Sequence, residues 1–180
     1  MSVDRWILGA LFRPAETYHQ AREKMRLGYW WILIAVLTLE CVMAVHDPAI
    51  RQDPQADTIT VIFAVISQGL FWFYLSAGLL FAAARLFRWP LTWLDALKYT
   101  GLAWAAVFAE DVGTFYWALR DNERVLVWLW VPFFLWYLVT LAAGIRRVSG
   151  LSGIKSALVA ITASLPWRLL WFWLVWTETR

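Results

Sequence analysis

Glu110 and Asp111 stand side by side in the middle of an otherwise apolar stretch, Tyr99 to Leu119, bounded by Lys98 and Arg120. A helix of that length rises roughly 30 Å, about one hydrocarbon thickness. A carboxylate facing lipid at that depth costs at least about 2.5 kcal/mol, so the pair points inward, toward other helices. Adjacent helical residues diverge by about 100°, which aims the two acids at different neighbours. On a third line, Gly101, Ala105, Ala109 and Gly113 recur every fourth residue. Such a small-xxx-small stripe lets another helix close to backbone contact. The stretch therefore predicts the central helix of a small membrane bundle.

Composition agrees and removes several function classes. Of 180 residues, 62% are apolar and 15 are Trp, well above the roughly 45–50% apolar content of soluble domains. The only cysteine, Cys41, allows no intrachain disulfide and no cysteine-built zinc cluster. No polar region carries a basic stripe interleaved with stacking aromatics, which argues against nucleic acid as a partner. His19 and His46 fall on opposite expected sides of the membrane, and Ser67 and Ser76 have no histidine at their depth. Neither a metal site nor a nucleophile–base pair is expected, and no cofactor. The run Gly150-Leu-Ser-Gly-Ile-Lys-Ser156 resembles a phosphate loop, but Ile154 splits its Gly–Lys pair and no strand precedes it.

Two domains follow, an amphipathic segment over 1–28 and an all-α transmembrane domain over 29–180. Arg13-Pro14 follows the apolar run Trp6 to Phe12 where a cleavage site would need small residues, so no cleaved signal is expected. Pro14 suits a first helical position, with Glu16 in the first turn. The segment reads either as an interfacial helix with its arginines toward anionic lipid or as a cytosolic helix packed beneath the bundle. Five spans are expected at about 29–45, 59–86, 99–119, 125–144 and 155–176, with Asp- and Pro-rich residues 46–58 as a polar loop. A kink is expected at Pro132 and an interruption at Pro166.

Lysine and arginine set the orientation. With the N-terminus inside, the inner segments hold Arg5, Arg13, Arg22, Lys24, Arg26, Arg85, Arg88, Lys98, Arg146, Arg147 and Lys155, and the outer ones Arg51, Arg120, Arg124 and Arg180. Eleven against four predicts a cytoplasmic N-terminus and an external C-terminus in a cell (inner) membrane. Counted from Gly28, Lys98 and Lys155, Glu40, Glu110 and Arg168 lie twelve, twelve and thirteen residues in. With Asp111 they share one layer, roughly 18–20 Å deep. Arg168 can bridge one or two of the carboxylates through its forked guanidinium. The layer is then either a clamp that fixes helix register or, if a proton or cation balances the remaining charge, a responsive site.

Three stretches carry a family resemblance. Leu11-Phe-Arg-Pro-Ala-Glu-Thr-Tyr18 resembles the F-x-P-x-E-T-F motif ahead of the first span in bacterial Yip1-domain proteins. Trp93-Leu-Asp-Ala-Leu-Lys-Tyr-Thr-Gly101 resembles that family's amphipathic lead into its third span. Gly144-Ile-Arg-Arg-Val-Ser-Gly-Leu-Ser152, with Lys155 and Ala157, is similar to its cytoplasmic G-L-S…K-A loop. The resemblance implies a five-span membrane protein with a cytoplasmic N-terminus. Eukaryotic members of the family serve vesicle traffic and bind Rab-type GTPases, but the D-L-Y-G-P segment of those relatives is absent here, so GTPase binding is not expected. The expectation is a non-enzymatic membrane protein whose partners are the lipid bilayer and other membrane proteins or further copies of the chain. The alternative is a small permease or channel lined by Glu110, Asp111 and Arg168.

Overall fold

The structure is a computed structural model that describes residues 3–25, 27–46, 57–118 and 123–178, with only the backbone at 114–118, 123–130, 167–168, 171–172 and 174–178. Among these residues it is all-helical: α1 (Val3–Phe12), α2 (Pro14–Lys24), α3 (Gly28–His46), α4 (Thr58–Leu86), α5 (Trp93–Ala118), α6 (Glu123–Ser149) and α7 (Gly153–Glu178). The expected polar loop is outside the described residues except at its ends, as is Arg26.

Local chemistry sets the helix boundaries. Asp57 caps α4 by accepting from the Ile59 and Thr60 amides. Thr92 caps α5: the Asp95 amide donates to Thr92 Oγ1, whose hydroxyl in turn donates to Asp95 Oδ2 at 2.8 Å. Pro14 opens α2, where its missing N–H loses no helical bond. At the end of α4, Trp89 N–H reaches back to the Ala84 carbonyl and Arg88 N–H to that of Arg85, with Arg88 at φ 56°. This is a Schellman turn that places an arginine where glycine is usual.

Gly28–His46, Thr58–Leu86 and the Val131–Ser149 part of α6 are long and apolar enough to cross a membrane. These three stretches mark a membrane-embedded protein. Their outward faces carry large apolar side chains at helical spacing, such as Ile59 and Phe63 on α4, 77% and 73% exposed, and Val131, Leu135 and Val139 on α6. α7 continues the pattern with Ile154, Leu158, Ile161 and Leu165. Pro166 does not interrupt α7. It lies exposed, as Pro132 does on α6.

α5 is the hub. It packs against α3, α4, α6 and both N-terminal helices, and Ala96 through Val107 are buried one after another. α7 lies on the far side, bridging α4 and α6. The N-terminal segment is a helical hairpin docked into the bundle. α1 packs on α3 and α5, while α2 packs on α5 and α6.

Candidate functional site

Two groups of residues stand out, one at each half of α5. The first lies near the Trp93 end, the end that also carries Arg85, Arg88, Arg146, Arg147 and Lys155. Tyr18 of α2 is fully buried there, its hydroxyl donating to the Tyr99 carbonyl at 3.1 Å and its ring stacked on Tyr99 with centroids 5.4 Å apart. Trp89 stacks on the Tyr99 ring at 6.1 Å. On α6, Gly144 leaves the space the Tyr18 ring occupies, and a Cβ at that position would fall among the ring atoms. Burial, and then the neighbouring Tyr137 and Tyr99, hold the Tyr18 phenol well above its ordinary pKa.

Lys98 is buried beside this ring pair. Its Nζ donates to the Arg22 carbonyl at 3.2 Å and lies 3.6 Å from Asp95 Oδ1. A cation thus completes the last turn of α2, where helix carbonyls lack partners. Two residues beyond Tyr99, Gly101 meets α3: an added Cβ would lie 2.6 Å from Tyr29 Cβ. Tyr29 in turn stacks on Phe73, which meets Trp104 edge to face at 5.3 Å. The stretches Leu11–Tyr18, Trp93–Gly101 and Gly144–Ser152, far apart in sequence, therefore meet here through Tyr18, Tyr99 and Gly144.

The second group comprises the acids. Counted from the Tyr29–Gly101 crossing, Glu40 is eleven residues along α3, and Glu110 and Asp111 are nine and ten along α5. All three rise to roughly 14–16 Å beyond that crossing. They share a level but not a direction. Glu40 leans on α4, with Oε2 3.3 Å from where a Gly69 Cβ would sit. Glu110 is buried about 180° around α5 from Gly101, between the lines facing α6 and α4. Asp111, half-buried, lies about 20° from the Trp104 line that meets α4. Each of the three residues has an interaction partner. Arg168 lies on α7 by its backbone, and its side chain is outside the described residues.

The small-residue stripe meets two helices. Gly101 touches α3, whereas Gly113 faces Phe133 of α6, 3.4 Å from an added Cβ. A four-residue repeat on a 3.6-residue helix drifts about 40° per step, so its ends point about 120° apart. Ala105 is buried between them and Ala109 half-buried. Sequence reasoning missed the Tyr18–Gly144 pair and the bond from Trp136 Nε1 to the Leu11 carbonyl, 3.2 Å. The available signal was a lone glycine at the end of an apolar helix. Among the described residues, no group of His, Cys, Asp and Glu could hold a metal.

Comparison with protein-family models, with curated proteins and with solved structures finds no match.

Proposed function

We propose that this chain is a non-enzymatic, five-span integral membrane protein of the Yip1 type that acts by associating with lipid and other membrane proteins. In this reading α3 to α7 are the spans, and the basic end of the bundle and the N-terminus are cytoplasmic. The C-terminus lies outside. The observation that carries it is the meeting of the three family-like stretches at Tyr18, Tyr99 and Gly144. α5 is too polar to pass as a span by hydropathy alone, carrying Asp95, Lys98, Glu110 and Asp111. Enclosure by its neighbours makes that tolerable. Reporter fusions test the topology: those after Arg26, Arg88 and Gly150 should read cytoplasmic, and those at Asp53, Asn122 and Arg180 external. An external signal at Gly150 overturns the five-span reading.

A second reading, a small proton or cation permease, draws on the burial of Glu110 on the side of α5 where α7, the helix carrying Arg168, bridges α4 and α6. If Arg168 is the counter-ion, Arg168→Met should cost roughly 3–5 kcal/mol, because it leaves a buried carboxylate uncompensated. Glu110→Gln or Asp111→Asn in the same chain should then recover part of that loss. A permease would show pH-dependent flux in proteoliposomes that Glu110→Gln abolishes. In the leading reading the wild type shows no flux.

A further inference from the structure

The docked hairpin has two unlike outer faces. α2 turns Glu16, His19 and Glu23 outward, with Arg22 and Lys24 also exposed, and buries Thr17, Tyr18 and Ala21. α1 buries Trp6 and Ala10 but exposes Arg5, Leu8 and Phe12 along one line, at i, i+3 and i+7. Leu8 is 54% and Phe12 68% exposed, and Arg13 is exposed at the turn between the helices. Asp4, the acidic neighbour of Arg5, already has a partner.

The contacts also fix how far the hairpin reaches. Tyr18 is level with Tyr99, two residues from the crossing where α3 begins its run at Tyr29. At the turn, Leu11 accepts from Trp136 Nε1, and Phe12 meets the Trp136 ring at 5.9 Å. Trp136 lies eight residues from Gly144, which packs on Tyr18, in the direction of the Glu123 end of α6. The turn therefore sits roughly 12 Å further into the bundle than Tyr18. That places it past the start of the apolar run of α3. Its Phe12 ring meets Trp136, the chain neighbour of Leu135, which with Val139 is exposed on the apolar belt of α6.

We propose that the hairpin is a lipid-inserted wedge. Leu8 and Phe12 enter the acyl region of the leaflet on the basic side, Arg5 at the shallow end of α1 takes the phosphates of anionic headgroups, and the polar face of α2 stays in water. The occupant is lipid rather than protein because the exposed line leads to the apolar belt and carries an arginine, Arg5, at its shallow end. An apolar line below a basic residue matches the depth of an interfacial helix, whose apolar side sinks about 5–10 Å below the headgroups. This inference rests on the chain being membrane-embedded, and the test keeps the two claims apart.

Single cysteines for spin labelling are placed at Phe12→Cys, Leu8→Cys, His19→Cys and Ile34→Cys in a Cys41→Ala background. All four positions are exposed, so folding should survive. The full chain is reconstituted in zwitterionic vesicles with and without a minor fraction of phosphatidylglycerol. Collision of each label with oxygen, which concentrates in acyl chains, is compared with collision with a water-soluble nickel chelate. The expected result is several-fold preference for oxygen at 8, 12 and 34 and the reverse at 19. Immersion at 12 should deepen with phosphatidylglycerol and lose that dependence on adding Arg5→Ala. Nickel access at 8 and 12 with oxygen preference at 34 overturns the wedge and leaves the membrane reading standing. Shielding of 8 and 12 from both reagents also overturns it, in favour of a protein cover. Nickel access at 34 would instead defeat the membrane reading itself.

Discussion

Along α5, the turns from Ala96 to Val107 are enclosed on every side, whereas beyond them Glu110 is buried, Asp111 half-buried and Val112 exposed. The enclosed half is held by aromatic stacking, glycine contacts and hydrogen bonds to backbone carbonyls. The other half holds carboxylates at one level with their directions spread between α4, α6 and α7. The hairpin explains the contrast. It covers α5 up to the level of Trp136 and stops, so the interior is sealed below the turn and less completely above it. Close packing is concentrated at the basic end, in the half of α5 that the hairpin covers.

Breaking that contrast should be most costly at Tyr18. Tyr18→Ala removes a fully buried ring and should lower stability by about 3–5 kcal/mol in detergent unfolding. Protease cleavage within residues 1–25 should rise with it. Ala105→Leu, which overfills the enclosed half between α3 and α6, should cost about 1–3 kcal/mol. Unchanged melting would place this face on lipid. Lys98→Met, which leaves the last turn of α2 without its donor, should cost about 0.5–1.5 kcal/mol, and arginine should not restore it because the site is fitted to a single ammonium.

Two pH effects sharpen the comparison at smaller scale. The Tyr18 phenol is raised in the folded state, so its contribution is complete below the ordinary tyrosine value and is lost as pH climbs above it. Alkaline release of the hairpin, followed by tyrosinate absorbance, should therefore weaken in Tyr18→Phe. Asp57, fully exposed, is lowered first by the Thr60 hydroxyl and then by the Ile59 amide. Its support of α4 is present above the ordinary aspartate range and fades as pH falls through its depressed value. In Asp57→Asn that acid-side decline should disappear, while the cap itself persists.

α3, α4 and the Val131–Ser149 part of α6 were legible because each is a long apolar run between polar residues. Azimuth was not legible. The stripe from Gly101 to Gly113 looked like one face, yet its drift divides it between α3 and α6. Pro166 promised a break, yet α7 runs through it, since the one helical bond that proline removes leaves those on either side in place. The hairpin was hardest, since an amphipathic pattern over 1–28 suits a lipid surface and a protein surface equally. Its receptors, Gly144 and Trp136, look like ordinary residues of an apolar helix. Only their placement reveals that one vacates space and the other donates a bond.

The docking of Tyr18 against Gly144 is the contact on which the sealed end depends, and a double-mutant cycle tests it directly. Gly144→Ala should cost about 1–3 kcal/mol in the presence of Tyr18, because the new methyl group falls within its ring. In a Tyr18→Ala background the same change should cost almost nothing, since the ring is gone, and the difference is the coupling energy. Equal cost in both backgrounds would mean that Tyr18 does not occupy the space beside Gly144, and the docked hairpin would be wrong.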